Sequence, residues 1–200
     1  FIASHSHFAA SYEFPRFDPS PVGKTDSVKD LIEQAKAYLE ENPVKEGEWF
    51  VGMGYDHALF EGQLHPTKED LDQISTEIPI VMINTSGWMC VVNSKVIEVL
   101  GLTKDLPVPE GGYIYHDATT GDLNGQFGDI AMRDVILDKM PAPGAETMIE
   151  AICRAERMYS SKGYTTVVDG SFEADMRPLL QVCTGAGLIS LDVNTYSRVA

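Results

Sequence analysis

The segment FIASHSHFAAS at the start of the chain places two histidines, His5 and His7, one residue apart within an apolar run. Successive side chains of a β-strand point to opposite faces, so a His-x-His pair sets both imidazoles side by side on one face. One strand can thereby supply two metal ligands. The same spacing also suits two separately hydrogen-bonded rings, one facing a polar pocket and one at a loop. Asp169 ends the apolar run YTTVVD and precedes Gly170, which predicts a carboxylate at the C-terminal tip of a parallel strand. That edge collects chemistry in barrels and open α/β sheets. Capping of the following helix is the alternative role. His57, His65 and His116 sit in the loop-like segments GYDHALF, QLHPTK and YIYHDAT, where each faces either a cleft or solvent.

Other motifs fail on inspection. Gly23-Lys24-Thr25 lacks the glycine five positions earlier that a phosphate loop requires, because that position is Asp18, with Pro19 and Pro21 between. The Gly52-x-Gly54 pair has neither a third glycine nor a helix behind it, so no dinucleotide site is expected. No Gly-x-Ser-x-Gly elbow is present.

The elements that must position these residues alternate in type. Ile2 to Phe8 reads as a strand, followed by the Pro-rich, irregular EFPRFDPSPVGKTDS. SVKDLIEQAKAYLEEN carries apolar residues at helical spacing behind a Ser27/Asp30 capping pair. EWFVGMGY and IPIVMINT are strand-length apolar runs, separated by HPTKEDLDQIS, in which Thr67 and Asp70 start a short helix. NSKVIEVLGLT reads as a helix capped by Asn93 or Ser94, GGYIYHDATTGDLNGQF as a hairpin, and GDIAMRDVILDKM as a helix that stops at Pro141. Beyond it, AETMIEAICRAERMYSSKG, YTTVVDG, EADMRPLLQVCTGAG and LISLDVNTY read as helix, strand, helix, strand. Alternating helices and buried strands indicate an α/β fold built on parallel β/α units.

Composition narrows the function. The 200 residues are 44% hydrophobic and 22% charged, typical of a globular protein with a sizeable core. Thirty acidic against fifteen basic residues give a formal charge of −15. Such a surface repels phosphate backbones and anionic headgroups, which disfavours nucleic-acid and membrane partners. Cys90, Cys153 and Cys183 are far apart and odd in number, as expected of free thiols in a reducing compartment rather than a disulfide framework or thiolate zinc site. No apolar run reaches membrane-helix length and no signal-peptide pattern is seen, so the expected location is the cytoplasm. The Asn84-Thr85-Ser86 sequon falls at the end of a buried-looking strand and is read as chance.

Taken together and in order, five blocks resemble one family. FIASHSHF resembles the first-strand signature of the amidohydrolase superfamily. WFVGMGYDHALFEGQLHPTKEDLDQIS, PIVMINTSGWMCVVNSKVIEVLGL, GGYIYHDATTGDLNGQF and KGYTTVVDG resemble blocks of its amidohydrolase-3 branch, which includes N-substituted formamide deformylases. The resemblance implies a metal-dependent TIM barrel with a large insertion after its first strand. Residues 1–8 would be barrel strand one, 9–143 an α+β insertion over the barrel mouth, and 144–200 a helix-strand-helix-strand segment. A complete barrel needs eight strands and about 250 residues, so the chain is expected to hold only a partial TIM barrel, the N-terminal part of the enzyme.

By the same resemblance, His5 and His7 bind the catalytic divalent metal, most simply zinc. Its remaining ligands and the base come from later strands, and the 200-residue chain alone is expected to be inactive. The parent enzyme would hydrolyse a non-peptide or cyclic amide bond of a small molecule. Asp56, His57, Trp88, Asn93 and Asp169 are the candidate substrate contacts, with core packing the alternative for Trp88 and helix capping for Asn93. Two positions depart from the family pattern: Ala3 stands where relatives usually carry aspartate, and Trp88 where they usually carry histidine. The rival reading is a non-catalytic regulatory or interaction domain of the same descent. A second rival is a small metal module completed by His57, His65 or His116. Exposed barrel strands also lead to an expectation of self-association into a homo-oligomer.

Overall fold

A computed structural model of the chain describes residues 1–8, 17–20, 25–142, 144–172 and 174–197. Most of the Pro-rich segment, including Gly23-Lys24, lies outside them. In chain order the elements are β1 (Ile2–Ser6), α1 (Val28–Glu41), β2 (Phe50–Tyr55), α2 (Lys68–Asp72), β3 (Ile80–Asn84), β4 (Met89–Val92), α3 (Ser94–Val99), β5 (Gly112–His116), β6 (Leu123–Asp129), α4 (Ala145–Ser160), β7 (Thr166–Phe172), α5 (Arg177–Gly185) and β8 (Asp192–Ser197). The chain divides into two units, Phe1–Pro15 with Pro143–Ala200, and Arg16–Ala142.

In the first unit, β1, β7 and β8 form a three-stranded sheet in that order, parallel throughout. Parallel strands need crossovers, and the helical periodicity of α4 and α5 supplies them. Ile152 and Ala155 of α4 and Leu180 and Cys183 of α5 form one core with Val167 and Phe172 of β7. The register between β1 and β7 is interrupted: Ala3 pairs with Val167 but Ser6 with Asp169, so three residue steps of β1 span two of β7. Such a bulge inverts the alternation downstream. Ser6 and Phe8 therefore share the helix-covered face with Val167, and both are buried. His5 and His7 fall on the opposite, exposed face.

The second unit is a five-stranded sheet in the order β2-β3-β4-β6-β5, with β2 and β3 parallel and the other pairs antiparallel. Every residue of β3 is buried, as expected of a strand covered on both faces. Helix α1 packs Leu31 and Ala35 into a core with Phe50, Tyr55 and Met82. Its predicted cap is present: the Asp30 N–H donates to Ser27 Oγ at 3.1 Å. The Thr67/Asp70 capping box at α2 is present too. Gly125 of β6 has φ +90°, and a Cβ there would stand 2.4 Å from the Val92 carbonyl oxygen and 2.8 Å from Lys68 Cβ. Only glycine lets α2 settle against the sheet at this point.

Three elements differ from the sequence reading. The segment WMCVV contains β4, which the reading passes over. The helix expected from GDIAMRDVILDKM is a π-helical turn, Met132–Ile136, followed by a 3-10 turn, Leu137–Lys139. Strand β7 continues through Gly170 to Phe172, so Asp169 is inside the strand rather than at its tip.

Candidate functional site

The chemistry of the first unit gathers at the carboxyl end of β1. The His5 and His7 rings are 5.2 Å apart between centroids and nearly perpendicular, at 87°. Ser6 between them is buried, and its hydroxyl donates to the Val168 carbonyl at 3.0 Å, which pins β1 to β7 just where the rings emerge. Gly170 of β7 lies directly against His5. A Cβ on Gly170 would sit 2.5 Å from His5 Cε1 and 2.9 Å from its Nδ1, so the missing side chain is the space the imidazole occupies. Two neighbouring, solvent-facing imidazoles with one seated against a glycine are a donor set that suits a borderline-soft divalent ion such as zinc. Among the described residues no third histidine, cysteine or carboxylate joins them.

Asp169 is 1% exposed and alternates with Gly170, on the face that holds Val167. The strand periodicity thus directs it to the helix-covered side, away from the face of His5.

The second unit gathers polar side chains where the parallel strands β2 and β3 end. Tyr55 and Asn84 are the last residues of these strands and are paired in register. Asn84 is oriented by the backbone: its Oδ1 accepts from the Ser86 N–H at 3.0 Å and its Nδ2 donates to the Tyr55 carbonyl at 2.9 Å. The second Nδ2 hydrogen reaches His57 Nδ1 at 3.3 Å. The Tyr55 hydroxyl is 2.8 Å from His65 Nδ1. The two imidazoles stack, with centroids 3.9 Å apart and planes 17° from parallel. Burial, reinforced by the neighbouring His57, pushes the His65 pKa down to about 4, so the ring is neutral at pH 7. Burial likewise raises that of Tyr55, which keeps its proton. Gln126 completes the frame, its Nε2 donating to the Pro66 carbonyl at 2.8 Å.

The remaining candidates have plainer surroundings. Asp56 caps the 3-10 turn His57–Leu59, its Oδ1 accepting from the Ala58 N–H at 3.0 Å. Asn93 is fully buried, and its amide is saturated by backbone. Oδ1 accepts from the N–H groups of Ile80 and Val96, and Nδ2 donates to the carbonyls of Ser75 and Ile78. It is the cap of α3 and a clamp on the loop before β3, with no hydrogen-bonding capacity left for a ligand. Trp88 is 67% exposed and so is not core packing. His116 is exposed, with Nε2 3.1 Å from the Lys104 carbonyl. His57, His65 and His116 therefore form no metal cluster, and among the described residues the self-contained metal module has no site. The sequence reading missed Tyr55, Asn84 and Gly170. The signal for the first two was their place at the ends of the apolar runs.

A sequence profile of the amidohydrolase family matches residues 1–194. The chain belongs to the amidohydrolase family. YtcJ of Bacillus subtilis (strain 168) is 28% identical over 166 residues, covering 82% of this chain and 30% of YtcJ. The N-substituted formamide deformylase of Arthrobacter pascens is 24% identical over 202 residues, covering 94% of this chain and 34% of the deformylase. Among solved structures, an uncharacterized metal-dependent hydrolase from Pyrococcus horikoshii OT3 superposes with a TM-score of 0.65 at 22% identity, over 98% of this chain and 36% of that one. The fold is therefore shared with that hydrolase. This amidohydrolase chain spans about a third of the length of each of these three proteins.

Proposed function

We propose that the protein to which this amidohydrolase sequence belongs is a metal-dependent hydrolase of a non-peptide C–N bond, acyclic or cyclic amide, in a small molecule. The observation that carries the proposal is the His5/His7 pair, exposed side by side at the carboxyl end of β1 with His5 against Gly170. In that reading β1, β7 and β8 are the first three strands of a TIM barrel, which their order and parallel pairing support. Unit Arg16–Ala142 corresponds to the insertion that follows the first strand.

His5 and His7 would hold the ion, zinc by donor type. When bound, it polarises the amide carbonyl and acidifies a water molecule. The protein's own part here is geometric. The Ser6 hydroxyl and the bulge fix the ring-bearing backbone, and the absent side chain at Gly170 leaves room for the His5 ring. Two imidazoles alone leave most of a coordination shell to water, so the chain by itself is inactive. Asp56, His57 and Trp88 are the proposed substrate contacts of the second unit.

The test is hydrolysis of N-substituted formamides and cyclic amides by the protein extended to the length of its relatives, stripped of metal and reloaded with zinc. Zinc-dependent turnover that falls at least about a thousandfold in a His5→Ala/His7→Ala variant is expected, the order of loss when a metal centre is removed. Turnover that survives the double substitution overturns the assignment.

A further inference from the structure

We propose that His57 and His65 form a two-point hydrogen-bond donor that holds the carboxylate of a small-molecule ligand. The inference stands on the geometry of unit Arg16–Ala142 alone. It shares His57 with the hydrolytic reading but holds or fails independently of the metal chemistry.

The argument starts from proton positions. Asn84 cannot be turned around, because its Oδ1 takes a backbone N–H and its Nδ2 gives to a backbone carbonyl. The hydrogen it offers to His57 therefore meets a bare Nδ1, and neutral His57 carries its proton on Nε2. Tyr55 is fully buried, and the only hydrogen-bond partner of its hydroxyl among the described residues is His65 Nδ1. If that nitrogen bore a hydrogen, the tyrosine proton would be buried without an acceptor, which is costly. The hydroxyl thus donates, and neutral His65 also carries its proton on Nε2.

Both rings then present an Nε2–H that no described group accepts, and both are partly exposed. The near-parallel stack places the two N–H bonds in separate planes. With ring centroids 3.9 Å apart, the two oxygens of one carboxylate can serve the two donors, one each. The site is made rather than incidental: two different strand ends supply the residues that fix the two tautomers, and the stack holds the rings in step.

The experiment is a titration of the whole chain, labelled with ¹⁵N-histidine, with sodium acetate at pH 7 and constant ionic strength, against acetamide and sodium chloride as controls. Its five histidines give five spin systems. The expected result is the Nε2–H tautomer at His57 and His65 without ligand, then saturable movement of both Nε2 resonances with acetate and with neither control. A His65→Phe variant, which keeps the stack but removes one donor, should weaken acetate by roughly tenfold. The proposal is overturned by an Nδ1–H tautomer at either residue, by shifts that do not saturate or are confined to His5 and His7, or by undiminished acetate affinity in the folded variant.

Discussion

At Asn93 one side-chain amide meets four backbone groups, and at His65 one imidazole is kept neutral by its surroundings. Removing the first leaves Ile80 N–H, Val96 N–H and two carbonyls without partners. Asn93→Ala is expected to lower unfolding free energy by about 2–4 kcal/mol, measurable by urea denaturation. The second is a matter of pH. His65 titrates near 4 in the folded chain and near its ordinary value of about 6.5 when unfolded. Between these values the unfolded state binds more protons, so stability falls as pH is lowered from 6.5 toward 4. Urea midpoints across that range should show the slope, and His65→Phe should flatten it. The two residues also differ in legibility. The cap at Asn93 is written within its own helix start. The partners of His57 and His65 come from strand ends brought together only by the β2/β3 pairing, which spacing along the chain does not encode.

Among elements, the sequence shows best what is local. The α1 and α2 caps and the amphipathic α4 stand as their periodicity predicts, because each is decided within one turn or one face. Strand β4 is hidden by its four-residue length and by burial on both faces, which erases alternation. The bulge in β1 is likewise invisible, since it depends on the partner strand. Two glycines make this contextual control testable. Gly125→Ala would drive a methyl into the Val92 carbonyl at a positive φ, and should cost about 2–4 kcal/mol by thermal or urea unfolding. For Gly170→Ala the three atoms nearest the new methyl all belong to the His5 ring, the movable end of that side chain. It should leave the urea midpoint nearly unchanged while displacing the ring, weakening zinc binding roughly tenfold by isothermal titration.

For the whole molecule, family membership and the α/β class are readable from the sequence blocks. The sequence reading expects an insertion over 9–143 between 1–8 and 144–200, and contacts divide the chain into Phe1–Pro15 with Pro143–Ala200, and Arg16–Ala142. In the first unit neither β1 nor β8 has a strand on its outer side among the described residues, and Ile2 and Tyr196 are 67% and 68% exposed. Open parallel edges beside apolar surface favour pairing with another copy. Sedimentation velocity should therefore show concentration-dependent association of the chain, and a monomer at every concentration would contradict it. The central claim, that His5 and His7 are two ligands of a metal centre, is tested most directly by titrating zinc into the ¹⁵N-histidine-labelled chain, with His5→Ala/His7→Ala as control. The account predicts that zinc moves the His5 and His7 resonances together, that it leaves on exhaustive desalting, and that the double variant shows no such response. Zinc that leaves both rings unmoved, or that the double variant retains at one equivalent, would contradict it.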